Sequence, residues 1–478
     1  MGSSVEIPAS EIEKQKLIMH GIRESYQTRQ APPSAYVDTY GCQQNEADSE
    51  KLRGMLVEMG YEITGNEFEA DVAIINTCAI RENAENRVLG NVGALIHTKT
   101  ANPSQLVIFC GCLAAVPETV EKIRQSYKHV DLVFPPNMLW RFPELFLRAL
   151  SAKKRIFETD SEDNPFTGGS IAEGLPSHRD MPVKAWLPIM YGCNNFCSYC
   201  IVPYVRGRER SRRPEMILDE ARSLVTAGYK DITLLGQNVN SYGVGLSEQT
   251  DFATLIRHVN EINGEFLIRF MTSHPKDASL DLFKAMAESE KAAKHIHLPF
   301  QAGSDRILSL MNRGYTGAEY LEKVSAAREL MPDIVITSDV IVGYPGETDN
   351  EFEDTLNLVE QAQFDAMFTF IFSKRPGTPA AELPDTVTRE EKQVRFERLM
   401  KLQNEISEDK HMKYIGKTVH VLVDGEVHGE KYPLKARTNG GRLVHLRGES
   451  TLIGSFVNAR ITHSNSWSLF GEAELWQQ

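Results

Sequence analysis

Three cysteines in a Cys-x3-Cys-x2-Cys pattern are the residues of this sequence best suited to chemistry. Cys193, Cys197 and Cys200 follow an apolar run that predicts a buried strand, and no cysteine follows them. Thiolates are the usual ligands of iron–sulfur clusters, and three of them would leave one iron of a cubane open to another molecule. Structural zinc usually has four protein ligands, so a triplet fits zinc poorly. The spacing of this Cys193 triad indicates an iron–sulfur site, with three buried core thiols as the alternative.

Three more cysteines each follow a predicted strand within residues 34–150. Here short apolar runs alternate with amphipathic stretches, which predicts an open, parallel α/β sheet. The carboxyl ends of its strands meet at one edge, and they carry Cys42, Cys78 and Cys112. This Cys42 triad suggests a second three-thiolate site, with unrelated core cysteines as the alternative. Cys110 ends the third strand itself and is interpreted as a core thiol, with a rescue ligand or sulfur carrier as the minor alternative.

A second α/β block, residues 179–410, follows a linker at residues 160–182 and repeats strand then helix six times. This repeat predicts a closed or partial (β/α)6 barrel, whose functional residues lie on the loops after its strands. Glycines, amides and acids in those loops can line a ligand pocket. The candidate pocket residues are Gly236, Gln237, Asn238, Ser273, Gln301, Ser338 and Asp339. Nearby His274 is interpreted as a hydrogen-bonded core residue.

The net charge of −13 disfavours general binding to polyanions, but the basic residues are unevenly spread. Five arginines follow the Cys193 triad closely: Arg206, Arg208, Arg210, Arg212 and Arg213. They either contact RNA phosphates or form a solvated face. Residues 388–413 predict an amphipathic helix, and residues 413–477 contain the short β patterns of a small barrel.

The start of the chain carries little pattern. Residues 1–33 are polar and are treated as a leader outside the three domains. No apolar run is long enough to span a membrane, and no signal peptide is recognisable. We therefore expect a cytoplasmic protein, without a membrane partner, whose seven cysteines stay reduced. We also expect a monomer.

Several motifs resemble those of a known family. The cysteine triplet with Tyr199 before its last cysteine resembles the radical S-adenosylmethionine superfamily. Residues 40–45, 76–82 and 111–114 resemble the three signatures of the amino-terminal domain of methylthiotransferases, and residues 413–477 resemble the TRAM domain, a small RNA-binding barrel. Within that family the sequence is most similar to the tRNA-modifying MiaB type.

The resemblance implies two [4Fe-4S] clusters and S-adenosyl-L-methionine as cofactors. The Cys193 triad would be catalytic, holding the cluster that binds S-adenosylmethionine and yields a radical. The Cys42 triad would hold an auxiliary cluster that presents sulfur, which a second S-adenosylmethionine methylates. The candidate pocket residues would bind S-adenosylmethionine, and the five arginines would contact RNA.

The activity implied is the addition of a methylthio group to carbon 2 of N(6)-isopentenyladenosine adjacent to the anticodon. The expected partners are a tRNA anticodon stem-loop that carries isopentenyladenosine, an electron donor such as flavodoxin or ferredoxin, and a sulfur donor. The same chemistry on threonylcarbamoyladenosine tRNA or on a ribosomal-protein aspartate is an alternative. An RNA-binding iron–sulfur sensor without catalysis is a more distant one.

Overall fold

The amino-terminal domain is a six-stranded parallel sheet between two layers of helices. The computed structural model describes residues 6–79, 82–152, 154–158, 171–427 and 431–474. The strands are β1 Ser34–Thr39, β2 Glu62–Ile63, β3 Val72–Thr77, β4 Leu106–Gly111, β5 Leu132–Phe134 and β6 Ile156–Phe157, in the order β2-β1-β3-β4-β5-β6. The helices are α1 Ala9–Ser25, α2 Gln43–Glu58, α3 Glu82–Ala101, α4 Pro117–Ser126 and α5 Phe142–Ser151. The predicted open parallel sheet is confirmed.

Strand β3 is buried along its whole length because both faces of the sheet are covered. Val72 and Ile74 pack in a core with side chains of α2 and α5. Ala73 and Ile75 pack in a second core with side chains of α3 and α4. A near-continuous apolar run is what a strand in a doubly covered parallel sheet requires.

Helix α1 lies within residues 1–33, which the sequence analysis treats as a polar leader, and it packs on the first domain. Met19 and Ile22 are each 3% exposed and belong to the core beneath α5. The buried Gln15 side chain accepts a hydrogen bond from the Glu144 backbone N–H. The apolar stripe is narrow and lies among lysines and glutamates, so composition alone conceals it.

The central domain is the expected partial (β/α)6 barrel. Its strands β7 Lys184–Pro188, β10 Asp231–Leu235, β11 Leu267–Phe270, β12 His295–His297, β13 Val335–Val342 and β14 Ala366–Ile371 form two parallel sheets, ordered β11-β10-β7 and β12-β13-β14. A bridge between Ile268 and Ala292 joins the two sheets. Beside them, β8 Met190–Tyr191 pairs with β9 Arg210–Ser211 in antiparallel fashion.

Eight helices accompany these strands. They are α6 Val202–Arg206, α7 Pro214–Thr226, α8 Phe252–Asn260, α9 Leu280–Glu288, α10 Asp305–Leu310, α11 Gly317–Leu330, α12 Asp349–Ala362 and α13 Arg389–Met412. Helix α13 is the amphipathic helix expected at residues 388–413. Thr388 begins it with a capping box, in which its side chain and that of Glu391 each bond the other's backbone N–H.

The last domain is a closed five-stranded barrel, as its short β patterns predict. Its strands are β15 Thr418–Glu426, β16 Leu434–Thr438, β17 Leu443–Arg447, β18 Phe456–Ser464 and β19 Leu469–Ala473, in the order β15-β16-β17-β19-β18. Alternate residues such as Val421, Val423, Leu434 and Leu446 fill its core. Closure leaves this sheet without unpaired edges.

Arg269 fastens this small barrel to the central domain. Its Nε donates to Asp231 Oδ2 at 2.9 Å, and its Nη1 and Nη2 donate to the carbonyls of Asn439 and Thr438 at 2.8 and 3.0 Å. Both charged side chains are at most 9% exposed. The turn between β16 and β17 is therefore fixed against the amino-terminal ends of the barrel strands.

The predicted linker at residues 160–182 is described only from residue 171 onward. Ile171 is buried and pairs with Glu6, so this end of the linker lies against the start of the chain. Among the described residues no helix is long and apolar enough to cross a membrane.

Replacing Arg269 with methionine should destabilise the protein markedly. The change leaves Asp231 charged and buried, with Lys184 Nζ 3.9 Å away as its remaining cation. It also removes one hydrogen bond from each of the Asn439 and Thr438 carbonyls, of which Thr438 still accepts the Gly441 N–H. Breaking a buried pair by removing one partner costs about 3 kcal/mol or more. The matched control is Arg257→Met, because Arg257 and Asp281 form an exposed pair worth less than about 1 kcal/mol. Equal shifts of the denaturant midpoint in the two variants would contradict this account.

Candidate active site: two cysteine triads

The Cys193 triad lies on the loop after β8, beyond the carboxyl end of β7. The Cys193 N–H donates to the Gly207 carbonyl at 3.2 Å, and the Cys200 N–H donates to the Cys197 carbonyl at 2.9 Å. Burial raises the pKa of Cys193 to about 11 and that of Cys200 to about 12, and in both cases the nearby Cys197 adds to the effect. The three thiols lie on one loop, and an iron–sulfur group would bind them with loss of their protons.

Arg313 is a cation beside this triad that the sequence analysis did not identify. Its Nη1 lies 3.4 Å from Cys197 Sγ, and its side chain is 4% exposed. Such a charge stabilises a thiolate over a thiol. His274 Nε2 lies 3.9 Å from the same sulfur, and burial followed by the charge of Arg313 lowers the pKa of His274 to about 2. His274 is therefore neutral, and its Nδ1 accepts the Lys276 N–H, which agrees with a structural role.

Two of the candidate pocket residues support the Cys193 loop, and a third, Asn238, contacts the loop after β11. Gly236 lies against the Met190 side chain, where a Cβ would come within 2.4 Å of Cγ. The Gln237 side-chain oxygen accepts the Gly192 N–H, and the Asn238 amide donates to Asp277 at 2.7 Å. The loop after β10 therefore braces the backbone that carries the triad.

Two further pocket candidates, Ser338 and Asp339, are neighbours on β13 and therefore lie on opposite faces of that strand. Burial along β13 alternates, with Asp339 half-buried and Ser338 fully buried. Asp339 lies 3.4 Å from His297 Nε2 on the barrel interior. The Ser338 hydroxyl donates to the Leu298 carbonyl and accepts the Phe300 N–H. Ser338 is therefore hydrogen-bonded to the backbone that follows β12, and its role in binding a cofactor stays a prediction.

Ser273 and Gln301 keep features of ligand-binding residues. The buried Ser273 hydroxyl has no hydrogen-bond partner among the described residues. Gln301 has a φ of +70°, and its backbone N–H bonds the Asp339 carbonyl at 2.9 Å. A strained backbone and an unsatisfied hydroxyl at strand ends are typical of a binding site.

The Cys42 triad converges at the carboxyl edge of the first sheet, around the side chain of Asn45. Asn45 Oδ1 lies 3.8 Å from Cys42 Sγ and 3.9 Å from Cys112 Sγ. Its Nδ2 donates at 2.7 Å to the carbonyl of Thr77, the residue before Cys78. In the part of the chain that the structure describes, no three Cys, His, Asp or Glu side chains close around a single ion. Thiols that are separated by the side chain of Asn45 are too far apart for one ion, but they suit an iron–sulfur cluster, which is bound by ligands at its separate iron atoms.

Cys110 lies apart from this edge. It is 1% exposed and packs in the core that contains Ile108 and Phe134. Burial raises the pKa of its thiol well above the ordinary value. These surroundings agree with its interpretation as a core thiol.

Helix α6 joins the two triads. It begins two residues after Cys200, and Ile201 and Val205 pack in the core that contains Cys112. At its end, Arg206 Nη2 donates to Asn45 Oδ1 at 2.7 Å and to Asp48 Oδ2 at 2.8 Å. Six residues of chain therefore connect the last cysteine of one triad to the surroundings of the other.

The predicted arginine cluster does not form one RNA-binding surface. Arg206, Arg210 and Arg212 are each at most 7% exposed. Arg212 binds Glu173 and Glu220 within the chain. These three buried side chains are not accessible to a phosphate, so the prediction is corrected for them. Asp48, which pairs with Arg206, and Glu173, which pairs with Arg212, are distant in the sequence, so a local charge count does not reveal them.

The other two arginines of this stretch are exposed. Arg208 lies over the ring of Phe196 at 4.3 Å, beside the Cys193 loop. Arg213 Nε pairs with Glu6 at 2.9 Å, with about half of each side chain accessible. Arg208 and Arg213 alone keep the accessibility that phosphate contact requires.

The small barrel carries an aromatic face, formed by Tyr432, His445, His463 and Phe470, that the sequence analysis did not identify. The rings of His463 and Phe470 stack at 4.3 Å, and those of His445 and Phe470 at 5.1 Å. They come from the neighbouring strands β17, β19 and β18. Arg447 lies over the Tyr432 ring. Rings and cations of this kind bind single-stranded nucleic acid by stacking. Because the rings of His445, Phe470 and His463 lie on three different strands, a short stretch of sequence does not show that they form one face.

Comparison with known proteins assigns each domain. The radical SAM superfamily model matches residues 187–359, the model described as "Uncharacterized protein family UPF0004" matches residues 34–135, and the TRAM domain model matches residues 412–473. A tRNA-2-methylthio-N(6)-dimethylallyladenosine synthase from Acetivibrio thermocellus is 50% identical over 435 residues, which cover 91% of this chain and 90% of that protein. The chain belongs to this synthase family. A second member, from Thermoanaerobacter sp. (strain X514), is 46% identical over 99% of both chains.

A solved structure has a similar fold to this chain. It is a radical S-adenosylmethionine methyltransferase, TsrM, from Kitasatospora setae, with 13% identity, a TM-score of 0.54, and coverage of 73% of this chain and 77% of that one. Membership of the radical SAM superfamily implies a [4Fe-4S] cluster and S-adenosylmethionine. The residues present fit that pair, since the Cys193 triad offers three thiols and leaves an open position.

Replacing Gly192 with alanine should abolish iron binding at the Cys193 triad. Gly192 has a φ of +74°, and a Cβ there would lie 2.1 Å from the Arg208 carbonyl oxygen. The backbone of this loop would have to move. Gly245→Ala is the matched control, because Gly245 has a φ of +87° but no atom within 4 Å of the added Cβ. The measurement is iron content in a background with the Cys42 triad changed to alanine. Normal iron content in Gly192→Ala would contradict the geometry.

Proposed function

We propose that this protein adds a methylthio group to carbon 2 of N(6)-isopentenyladenosine next to the anticodon of tRNA. The observation that carries the proposal is the joining of the two cysteine triads by α6 in a chain that is 46–50% identical to tRNA-2-methylthio-N(6)-dimethylallyladenosine synthases. Such a reaction needs one site that activates an inert C–H bond and another that holds sulfur nearby. The two triads supply two sites of the same chemical kind in adjacent positions.

The Cys193 triad is the proposed catalytic site. With an iron–sulfur cluster and S-adenosylmethionine bound, this site would supply the radical reactivity that side-chain acid–base groups lack. The chain's own contribution is to hold the three thiols, to place Arg313 beside Cys197, and to brace the loop through Gln237. Ser273, Gln301 and Asp339 line the barrel side of the site and are the proposed contacts to S-adenosylmethionine.

The Cys42 triad is the proposed site of an auxiliary [4Fe-4S] cluster that presents sulfur. Supporting this role, the thiols of Cys42 and Cys112 lie beside Asn45 Oδ1, and Cys112 packs in a core with Ile201 and Val205. Buried neutral thiols need no cation nearby. Buried thiolates on a cluster carry negative charge, which a nearby cation stabilises. Arg206 is such a cation.

The proposed tRNA contacts are the exposed Arg208 and Arg213 together with the aromatic face. The target base must leave its stack to reach a buried site, which is easiest in the single-stranded anticodon loop. Arg208 lies beside the Cys193 loop, where it can bind a phosphate near the extruded base. The stacked rings of the small barrel suit unpaired bases elsewhere on the RNA.

We further propose a cytoplasmic monomer whose reductant is a flavodoxin or ferredoxin and which receives sulfur from a separate donor. All seven cysteines are free, as they are in a reducing compartment. The proposed domain limits are residues 34–150, 179–410 and 413–477, with α1 attached to the first domain.

The test of the function is mass spectrometry of nucleosides from the tRNA of cells with and without this protein. We expect the methylthio-isopentenyl nucleoside to disappear without the protein and its unthiolated precursor to accumulate. The wild-type chain should restore it, and chains with either triad changed to alanine should not. An unchanged nucleoside would redirect the search to threonylcarbamoyladenosine or a ribosomal-protein aspartate. Absence of 5′-deoxyadenosine from the reduced, cluster-loaded protein would favour the non-catalytic sensor.

Replacing Phe470 with alanine should weaken tRNA binding roughly tenfold, because one stacking contact is worth about 1–3 kcal/mol. The change removes the ring that stacks with both His445 and His463 in the aromatic face. The measurement is tRNA affinity at fixed salt, alongside 5′-deoxyadenosine formation without tRNA, which should not change. Phe68→Ala is the control, since Phe68 is an exposed phenylalanine of the first domain. Equal affinities for Phe470→Ala and the wild type would exclude the aromatic face.

A further inference from the structure

Arg206 is a buried cation whose partners belong to a different domain. Its side chain is 6% exposed, and the Asp48 carboxylate that it binds is 9% exposed. Burying an ion pair is costly unless further groups share the charge. The additional neighbours of Arg206 are the amide oxygen of Asn45 and the thiols of Cys42 and Cys112. The arginine therefore lies within the sphere of charges that surrounds the Cys42 triad.

Asn45 is held in an orientation that makes a cation necessary. Its Nδ2 donates to the carbonyls of Tyr40 and Thr77 at 2.9 and 2.7 Å, which fixes its Oδ1 towards the sulfurs of Cys42 and Cys112. Thiols tolerate such an oxygen as an acceptor. Ionised sulfurs, as on a metal cluster, would be repelled by its partial negative charge. Arg206 Nη2 donates to this same oxygen and offsets that repulsion.

The electrostatics around the triad agree with this arrangement. Burial raises the pKa of Cys112, and the Arg206 guanidinium partly offsets that rise. Burial disfavours the charge of Arg206, but Cys112, Asp48 and Cys42 together hold its pKa well above the ordinary value. Arg206 thus stays charged next to the ligands.

We propose that Arg206 is a positioning residue that sets the reduction potential of an iron–sulfur cluster on the Cys42 triad. This inference rests on the proposed function, in which that triad holds a cluster. A cation beside an anionic cluster stabilises its more negative, reduced form and so raises the potential. The negative charge of Asp48 destabilises the reduced form and so lowers the potential. Because Arg206 ends the helix that begins beside Cys200, the same residue also fixes the position of this cluster relative to the Cys193 triad.

The test is a redox titration of the full chain with Cys193, Cys197 and Cys200 changed to alanine, so that only the Cys42 triad can hold iron. The reduced cluster is followed by electron paramagnetic resonance. Arg206→Gln should lower the potential enough to shift the ratio of reduced to oxidised cluster at least tenfold, which is about 59 mV for one electron. Arg206→Lys keeps the charge and should retain most of the potential. Arg222→Gln, which changes an exposed arginine of α7, should leave the potential unchanged.

Asp48→Asn is the second measurement, because it removes a negative charge without removing the arginine. It should raise the potential, and this result decides the matter if Arg206→Gln fails to load iron. A loaded Arg206→Gln cluster with an unchanged potential would overturn the inference. An unchanged potential in Asp48→Asn would do the same. If the parent chain binds no iron at the Cys42 triad, the auxiliary cluster of the proposed function fails as well, which separates the two failures.

Discussion

The ion pair between Arg206 and Asp48 joins the two α/β domains at the point where their cysteines lie. Arg206 belongs to the barrel domain and Asp48 to the first helix after Cys42. A buried pair of this kind is stable only in one geometry, since either partner alone would be an uncompensated charge. The relative position of the two triads therefore depends on it. The separation between Cys200 and Arg206 is fixed as well, because the helix α6 makes up almost all of the chain between them.

The Cys42 triad depends on a property of parallel sheets, whereas the Cys193 triad lies on a single loop. The carboxyl ends of neighbouring strands meet at one edge, so residues far apart in sequence come together there. Cys42, Cys78 and Cys112 follow three such strands, while the Cys193 triad follows the first strand of the barrel. The packing of Ile201 and Val205 in the core that contains Cys112, and the hydrogen bonds of Arg206, place the two groups of thiols in neighbouring positions. Converging strand ends in the first domain and a single loop in the second thus produce the arrangement that sulfur insertion requires.

Periodicity and motif spacing were sufficient to predict the strands, the partial barrel, the small closed barrel and the strand-end cysteines. They were insufficient where the outcome depends on distant partners. Arg212 is buried because Glu173 and Glu220 pair with it, and the Ser338 hydroxyl bonds the backbone that follows β12. Arg313 and the aromatic face arise from tertiary contacts between separate elements. Helix α1 was missed because its apolar stripe is only a few residues wide.

The adjacency of the two triads is the central claim, and spin coupling between their clusters tests it most directly. The measurement is electron paramagnetic resonance of the fully loaded, reduced chain, compared with chains that lack either triad. Two clusters in neighbouring positions should interact magnetically, so the wild-type spectrum should be split or broadened beyond the sum of the two single-triad spectra. A wild-type spectrum equal to that sum, or the signal of one cluster alone, would contradict the account.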